Sequence, residues 1–147
     1  PGALDDLGLG PALQALTDEF RRRTGIETAF RTVVFRNRLD QEARIALYRI
    51  AQEALTNVER HSGASRVVLE AFGHKSGATL RISDNGRGLP PDGESGAGLG
   101  LRNMQERVDR LDGRLHIRSG PGGTVVEAVL PLTHMLPPER PRKVAAE

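Results

Sequence analysis

The sequence predicts an α+β domain, a two-layer α/β sandwich with helices on one face of a mixed, mostly antiparallel sheet. Three observations carry this expectation. Apolar residues recur at helical spacing in separate stretches of the chain. Between and after these stretches lie β-rich runs with alternating apolar residues, split by Gly- and Pro-containing turns. The elements alternate as helix, strand, helix, strand pair, helix, strand pair, with no internal repeat.

Residues 1–8 read as a linker. Leu9, Leu13, Leu16 and Phe20 then fall on one helical face. They predict a helix over 11–23, with Pro11 suited to its first turn and Gly25 as its stop. Residues 26–35 read as a strand. Asp40 is placed to cap a long helix over 40–61, which Gly63 ends. Strands follow at 67–72 and 78–84, separated by Lys75-Ser76-Gly77. Residues 85–98 are rich in glycine without periodicity and predict a long loop. A helix is expected over 99–111, stopped by Gly113. A last strand pair, 114–119 and 124–130, flanks Gly120-Pro121-Gly122-Gly123. The folded domain is expected over 9–132. A tail over 133–147 follows, turning Pro- and charge-rich from Pro137.

The 147 residues suffice for one domain with a core. Aromatics are only 3% of the chain, so that core must come from Leu, Val, Ile and Ala. With no cysteine, disulfides and thiolate metal sites are excluded. No apolar run has the length of a membrane span, and no signal peptide opens the chain. The first residue is Pro1, so the chain reads as a piece of a longer protein. Lys75 and Lys143 are the only lysines, and the high pI of a chain with net charge +2 follows from arginine. Basic residues are scattered among acids and do not alternate with aromatics, which argues against nucleic-acid binding.

On the 40–61 helix, at about 100° per residue, Leu47, Tyr48, Ala51, Ala54, Leu55 and Val58 form the core face. Arg49, Gln52, Thr56 and Glu59 lie opposite. Glu53 and Asn57 sit at the border, four apart and therefore neighbours, with Arg60 on the same edge. Such a carboxylate, carboxamide and guanidinium suit a metal–phosphate site. Taken alone, Glu53 and Asn57 read as a polar helix edge.

In the 78–84 strand, Ala78, Leu80, Ile82 and Asp84 share one face, so Asp84 aims a carboxylate inward. Its partner is either a ligand donor, such as the amine of adenine, or a turn amide of Gly86 or Arg87. Asn85-Gly86-Arg87-Gly88 follows at once, and glycines let backbone approach a flat ring. Gly96-Ala97-Gly98-Leu99-Gly100-Leu101 precedes a helix, where free amides bind phosphate. It is neither a Walker A loop nor a dinucleotide fingerprint. Nor is Ser95 a nucleophile elbow, because Ala97 stands where a glycine is needed. Thr124 shares a face with Val126, Ala128 and Leu130, and its hydroxyl either points toward the pocket of Asp84 or merely opens a strand.

Four segments in this order resemble one family. Tyr48 to His61 (YRIAQEALTNVERH) resembles the N box of histidine kinases. DNGRG, from Asp84 to Gly88, resembles their G1 box, and GAGLGL, from Gly96 to Leu101, their G2 box. The ending PGGTVVEAVLP from Pro121 fits as well. The N box and the stretch LDDLGL from Leu4 resemble the kinases that pair with NarL/LuxR-type response regulators.

The resemblance implies the Bergerat ATP-binding fold, shared with DNA gyrase, heat-shock chaperone ATPases and mismatch-repair clamps. It implies ATP and Mg²⁺ as ligands, with Asn57 on Mg²⁺ and Asp84 on the adenine amine. Asn85, Gly86, Gly88 and Leu89 would line the base, and Thr124 would support it. Gly96, Ala97, Gly98, Leu99, Gly100 and Leu101 would flank lid and phosphates, with Arg60 and His61 nearby. Glu53, Asn57 and Arg60 are the implied catalytic residues, and Glu53 would activate the acceptor histidine.

That acceptor is absent: His61 lies within the N box, and His74, His116 and His134 lack the expected helical acidic context. The implied partners are the chain's own dimerisation and phosphoacceptor helix, preceding residues 1–8, and a NarL/LuxR-type regulator. The implied setting is a cytoplasmic domain of a homodimeric parent whose membrane anchorage is left open. The segment between Gly88 and Gly96 reads as a short lid without the phenylalanine motif of larger kinases. Two alternatives share the fold, a serine kinase of anti-sigma type and a non-catalytic nucleotide sensor. The N-box wording argues against the first, and intact Glu53, Asn57 and Asp84 argue against the second.

Overall fold

A computed structural model describes residues 8–32, 38–90 and 97–136. The linker before Gly8, the end of the first expected strand, the lid with Gly96, and the chain after Leu136 lie outside the described residues.

Helix α1 (Leu9–Thr24) buries Leu9, Ala12, Leu13 and Phe20, and it includes Leu9 where the sequence reading began at 11. Gly25 stops it in the left-handed conformation, its amide donating to the Arg21 carbonyl at 2.9 Å. Strand β1 (Glu27–Thr32) follows, then the short strand β2 (Arg38–Leu39). Asp40 caps helix α2 (Gln41–Asn57) by accepting from the Ala43 amide at 2.8 Å. Such a cap is worth about 1 kcal/mol.

The α geometry does not continue to position 61. At Asn57 the chain widens into a π turn (Val58–Ser62), and left-handed Gly63 ends it. Ser62 holds the turn, donating to the Val58 carbonyl at 2.6 Å and accepting from the Ala64 amide at 3.0 Å. Such widenings redirect side chains and are frequent at functional sites.

Strands β3 (Arg66–His74) and β4 (Gly77–Asp84), helix α3 (Ala97–Arg110), and strands β5 (Arg114–Gly120) and β6 (Gly123–Pro131) complete the main body. The sheet order is β1-β3-β4-β6-β5. Only β1 and β3 are parallel, joined through α2, and the other pairs are antiparallel. This is the mixed, mostly antiparallel sheet expected of the sequence. Leu13, Phe20, Leu47, Ile50, Leu69, Leu80, Ile82, Met104 and Leu130 are fully buried in the core. Aliphatic residues dominate it, as the scarcity of aromatics requires. Register matters at one end: Ser83 pairs with Val125, so Asp84 finishes β4 beside the start of β6, where Thr124 is.

The folded body runs past the expected boundary at 132. A 3₁₀ turn (Leu132–His134) leads into strand β7 (Met135–Leu136), which pairs antiparallel with β2. The imidazole of His134 joins two helices, with Nδ1 2.9 Å from Asp40 Oδ2 at the α2 cap and Nε2 2.8 Å from the Leu111 carbonyl just after α3. Regular structure thus continues through Leu136, held by pairing with a strand far back in the chain, at Arg38 and Leu39.

Candidate functional site

The C-terminal end of α2, its π turn, the end of β4 and the start of β6 enclose a cleft. Ala54, Asn57, Val58 and Ser62 form one wall, Ile82 and Asp84 the floor, and Gly88, Leu89, Thr124 and Val126 the other wall. The free space among them is about 10 Å³, room for roughly one water molecule.

Two polar groups face this cleft with bonding capacity unused. Asp84 Oδ1 accepts from the Gly86 amide at 2.8 Å. Among the described residues nothing else bonds the carboxylate, so Oδ2 is left for a donor in the cleft. The two partners that the sequence offers Asp84, turn amide and ligand, are thus compatible. Asn57 is buried, and its Nδ2 has no partner among the described residues. The two ends of a carboxamide exchange by a flip, so the unsatisfied end suits either a phosphate oxygen or a cation. Leaving a buried amide unpaired costs about 1–3 kcal/mol, which a ligand would recover.

Glycine is required where the walls meet. A Cβ on Gly86 would stand 2.4 Å from the Ser62 carbonyl oxygen, and one on Gly88 would stand 2.5 Å from that of Gly120. Both lie far inside contact distance, so these two backbone approaches shape the cleft. Thr124 is buried, and its hydroxyl lies 2.9 Å from Ser119 Oγ, which also accepts from the Leu89 amide at 2.7 Å.

Asn57, Asp84, Gly88, Leu89 and Thr124 are thus brought together, with Gly86 at their edge. The side chain of Asn85 turns away: its Oδ1 accepts from the Ser65 and Arg66 amides, each at 3.0 Å, stapling the loop to β3. Arg60 is exposed and His61 half-exposed on the π turn, and neither lines the cleft. The His61 carbonyl accepts from Arg87 Nε at 2.8 Å, while Glu59 pairs with Arg23 of α1 at 2.6 Å.

The segment expected as a loop up to 98 is wound into α3 from Ala97. Leu101 packs against the core, Leu99 is exposed, and Gly100 is buried against Glu53 and Asn57. Packing of this turn on α2 overrides the poor helix propensity of its glycines. Ser62 and Ser119 escape a sequence reading, because a lone serine at a helix or strand end carries no motif.

Residues 42–134 match the profile of the family described as histidine kinase-, DNA gyrase B-, and HSP90-like ATPase. The chain belongs to this ATPase family. Membership of an ATPase family implies that the domain binds ATP.

The ATPase-family chain is 47% identical to the sensor histidine kinase MctS of Rhizobium johnstonii, over 99% of its own length and 32% of that protein. It is 39% identical to the signal transduction histidine-protein kinase/phosphatase DegS of Brevibacillus brevis, over 89% of its length and 34% of that protein. The chain spans about a third of the length of these curated relatives. Among solved structures, it superposes on the histidine kinase domain of the Erythrobacter litoralis blue-light activated histidine kinase with a TM-score of 0.68 and 25% identity, covering 85% of this chain and 61% of that one. The mycobacterial sensor histidine kinase MprB gives a TM-score of 0.64 at 26% identity, covering 86% and 93%.

Proposed function

We propose that this ATPase-family domain is the catalytic domain of a two-component sensor histidine kinase. It transfers the γ-phosphoryl group of ATP to a histidine on a dimerisation helix outside this chain. From there the phosphoryl group passes to a response regulator of NarL/LuxR type. The parent acts as a homodimer, with this domain in the cytoplasm. The observation that carries the proposal is one cleft holding a spare carboxylate oxygen on Asp84 and an unsatisfied carboxamide on Asn57.

Asp84 Oδ2 accepts from the 6-amino group of adenine, while Gly86 and Gly88 keep the walls flat against the ring. The Asn57 carboxamide would hold Mg²⁺ there. No group of three His, Asp or Glu among the described residues could cage a cation, which suits Mg²⁺, an ion usually held by one or two side chains and substrate phosphates. Bound there, Mg²⁺ would neutralise charge that builds on the phosphate oxygens. Glu53, next to Asn57, draws the proton from the attacking imidazole or orients that ring. Arg60, exposed, and His61, half-exposed, meet the phosphates from the π turn. In-line positioning does most of the remaining work.

The test is to mix the chain with a separately produced dimerisation domain and γ-labelled ATP. Acid-labile label should accumulate on a histidine, and only with Mg²⁺ present. Nucleotide binding without a labelled histidine would instead mark a nucleotide-sensing module.

A further inference from the structure

Ser119 does not line the cleft, yet it touches two elements that do. It stands opposite Thr124 in the β5–β6 ladder. Its Oγ lies 2.9 Å from the Thr124 hydroxyl and 2.7 Å from the Leu89 amide. The Leu89 N–H can only donate, so one Ser119 lone pair is taken. The second contact joins two hydroxyls, and burial decides its direction. Thr124 is 5% exposed and Ser119 is solvent-exposed. A buried hydroxyl proton without an acceptor is costly, whereas the Ser119 proton can be given to water. Burial therefore favours Thr124 as the donor to Ser119. The Thr124 lone pairs are left to face the cleft, the same cleft that receives the spare Asp84 oxygen.

We infer that Ser119 is a positioning residue that fixes Thr124 as a hydrogen-bond acceptor, so that the cleft selects a 6-aminopurine over a 6-oxopurine. An exocyclic amine carries two protons and meets two acceptors, Asp84 and Thr124. A carbonyl oxygen at the same ring position meets two lone pairs and is repelled. If Ser119 lost its hydroxyl, Thr124 could rotate and donate into the cleft, which a 6-oxo group tolerates. The inference rests on the ATP-site reading above.

The test measures ATP and GTP affinities by calorimetry on the whole chain for wild type, S119A, S119T, T124V and S119A/T124V. Wild type should prefer ATP. In S119A the ATP/GTP ratio should fall about tenfold, the scale of one hydrogen bond, and S119T should restore it. In the T124V background S119A should not change the ratio further, since residues acting through one another are not additive. Equal weakening of both nucleotides in S119A would show that Ser119 only braces Leu89. That result, or an unchanged ratio, overturns the inference and leaves the ATP site standing. Wild type binding neither nucleotide would overturn the ATP-site reading, and this inference with it.

Discussion

Gly100 of α3 stands so close to Glu53 of α2 that a Cβ on it would lie 2.9 Å from the carboxylate oxygen Oε2. The same Cβ would lie 3.7 Å from both terminal atoms of the Asn57 carboxamide. The obstructed atom is the far end of a flexible side chain, so Glu53 can swing aside cheaply. Gly100→Ala should therefore fold with a melting temperature within a few degrees of wild type, the helix propensity of alanine offsetting the contact at about 1 kcal/mol. Phosphoryl transfer should nevertheless fall at least about tenfold, because a carboxylate off its mark by an ångström loses its alignment. Thermal melts beside transfer assays check this, and full activity would remove Glu53 from the chemistry.

Gly98 gives the opposite outcome. A Cβ there would meet nothing within 4 Å. Gly98→Ala should stabilise the protein by about 0.5–1 kcal/mol through helix propensity alone. If the first turn of α3 must unwind for triphosphate, the same change should weaken ATP binding by a similar free energy. Unchanged affinity beside a raised melting temperature would mean that nucleotide binds with α3 intact.

Asp84→Asn keeps one oxygen for the Gly86 amide but puts a donor in place of the oxygen that the proposal assigns to adenine. Stability should change little, while ATP affinity drops by more than about tenfold. Asn57→Ala should mainly abolish Mg²⁺-dependent transfer. Titrations of Asp84→Asn indistinguishable from wild type would overturn the adenine assignment.

His134 predicts a pH dependence. Both of its ring nitrogens face groups that only accept, the Asp40 carboxylate and the Leu111 carbonyl. Making both bonds requires imidazolium. Burial pulls its pKa down, but the bonds to Asp40 and Leu111 and the charges of Asp40 and Glu42 outweigh that and raise it above the ordinary value of 6.5. A raised folded pKa gives stability that is complete below the unfolded value and is lost as pH rises through the folded one. The stability difference between wild type and His134→Ala should therefore be largest below about pH 6.5 and shrink in alkaline buffer, by about 1 kcal/mol. Melts from acid to alkaline pH would show it, and a constant difference would argue for packing alone.

Local signals made much of this legible. Asp40, Gly25 and Gly63 mark helix ends through chemistry confined to a few residues, and alternation along 78–84 aims Asp84 inward. Features that depend on distant partners were not legible. β2 and β7 are two residues each, too short for any periodic pattern, and only their mutual pairing makes them strands. The π turn (VERHS) carries no mark of its own in the sequence, and Ser62 lies just past the helix expected over 40–61. Asn85 sits in the motif but spends its side chain on β3, a distinction that needs the position of Ser65.

The tightness of the cleft has a kinetic consequence. Roughly one water fits among Asn57, Asp84 and Thr124, so a nucleotide taken up there, as proposed, would wait for molecules that have transiently spread. Observed affinity is then the intrinsic one scaled by the fraction already spread, and binding rates should level off as nucleotide concentration climbs. Whatever parts the C-terminal end of α2 from Leu89 and Thr124 would raise that fraction. Loading is then set by the spacing of the walls as well as by the atoms that meet the ligand.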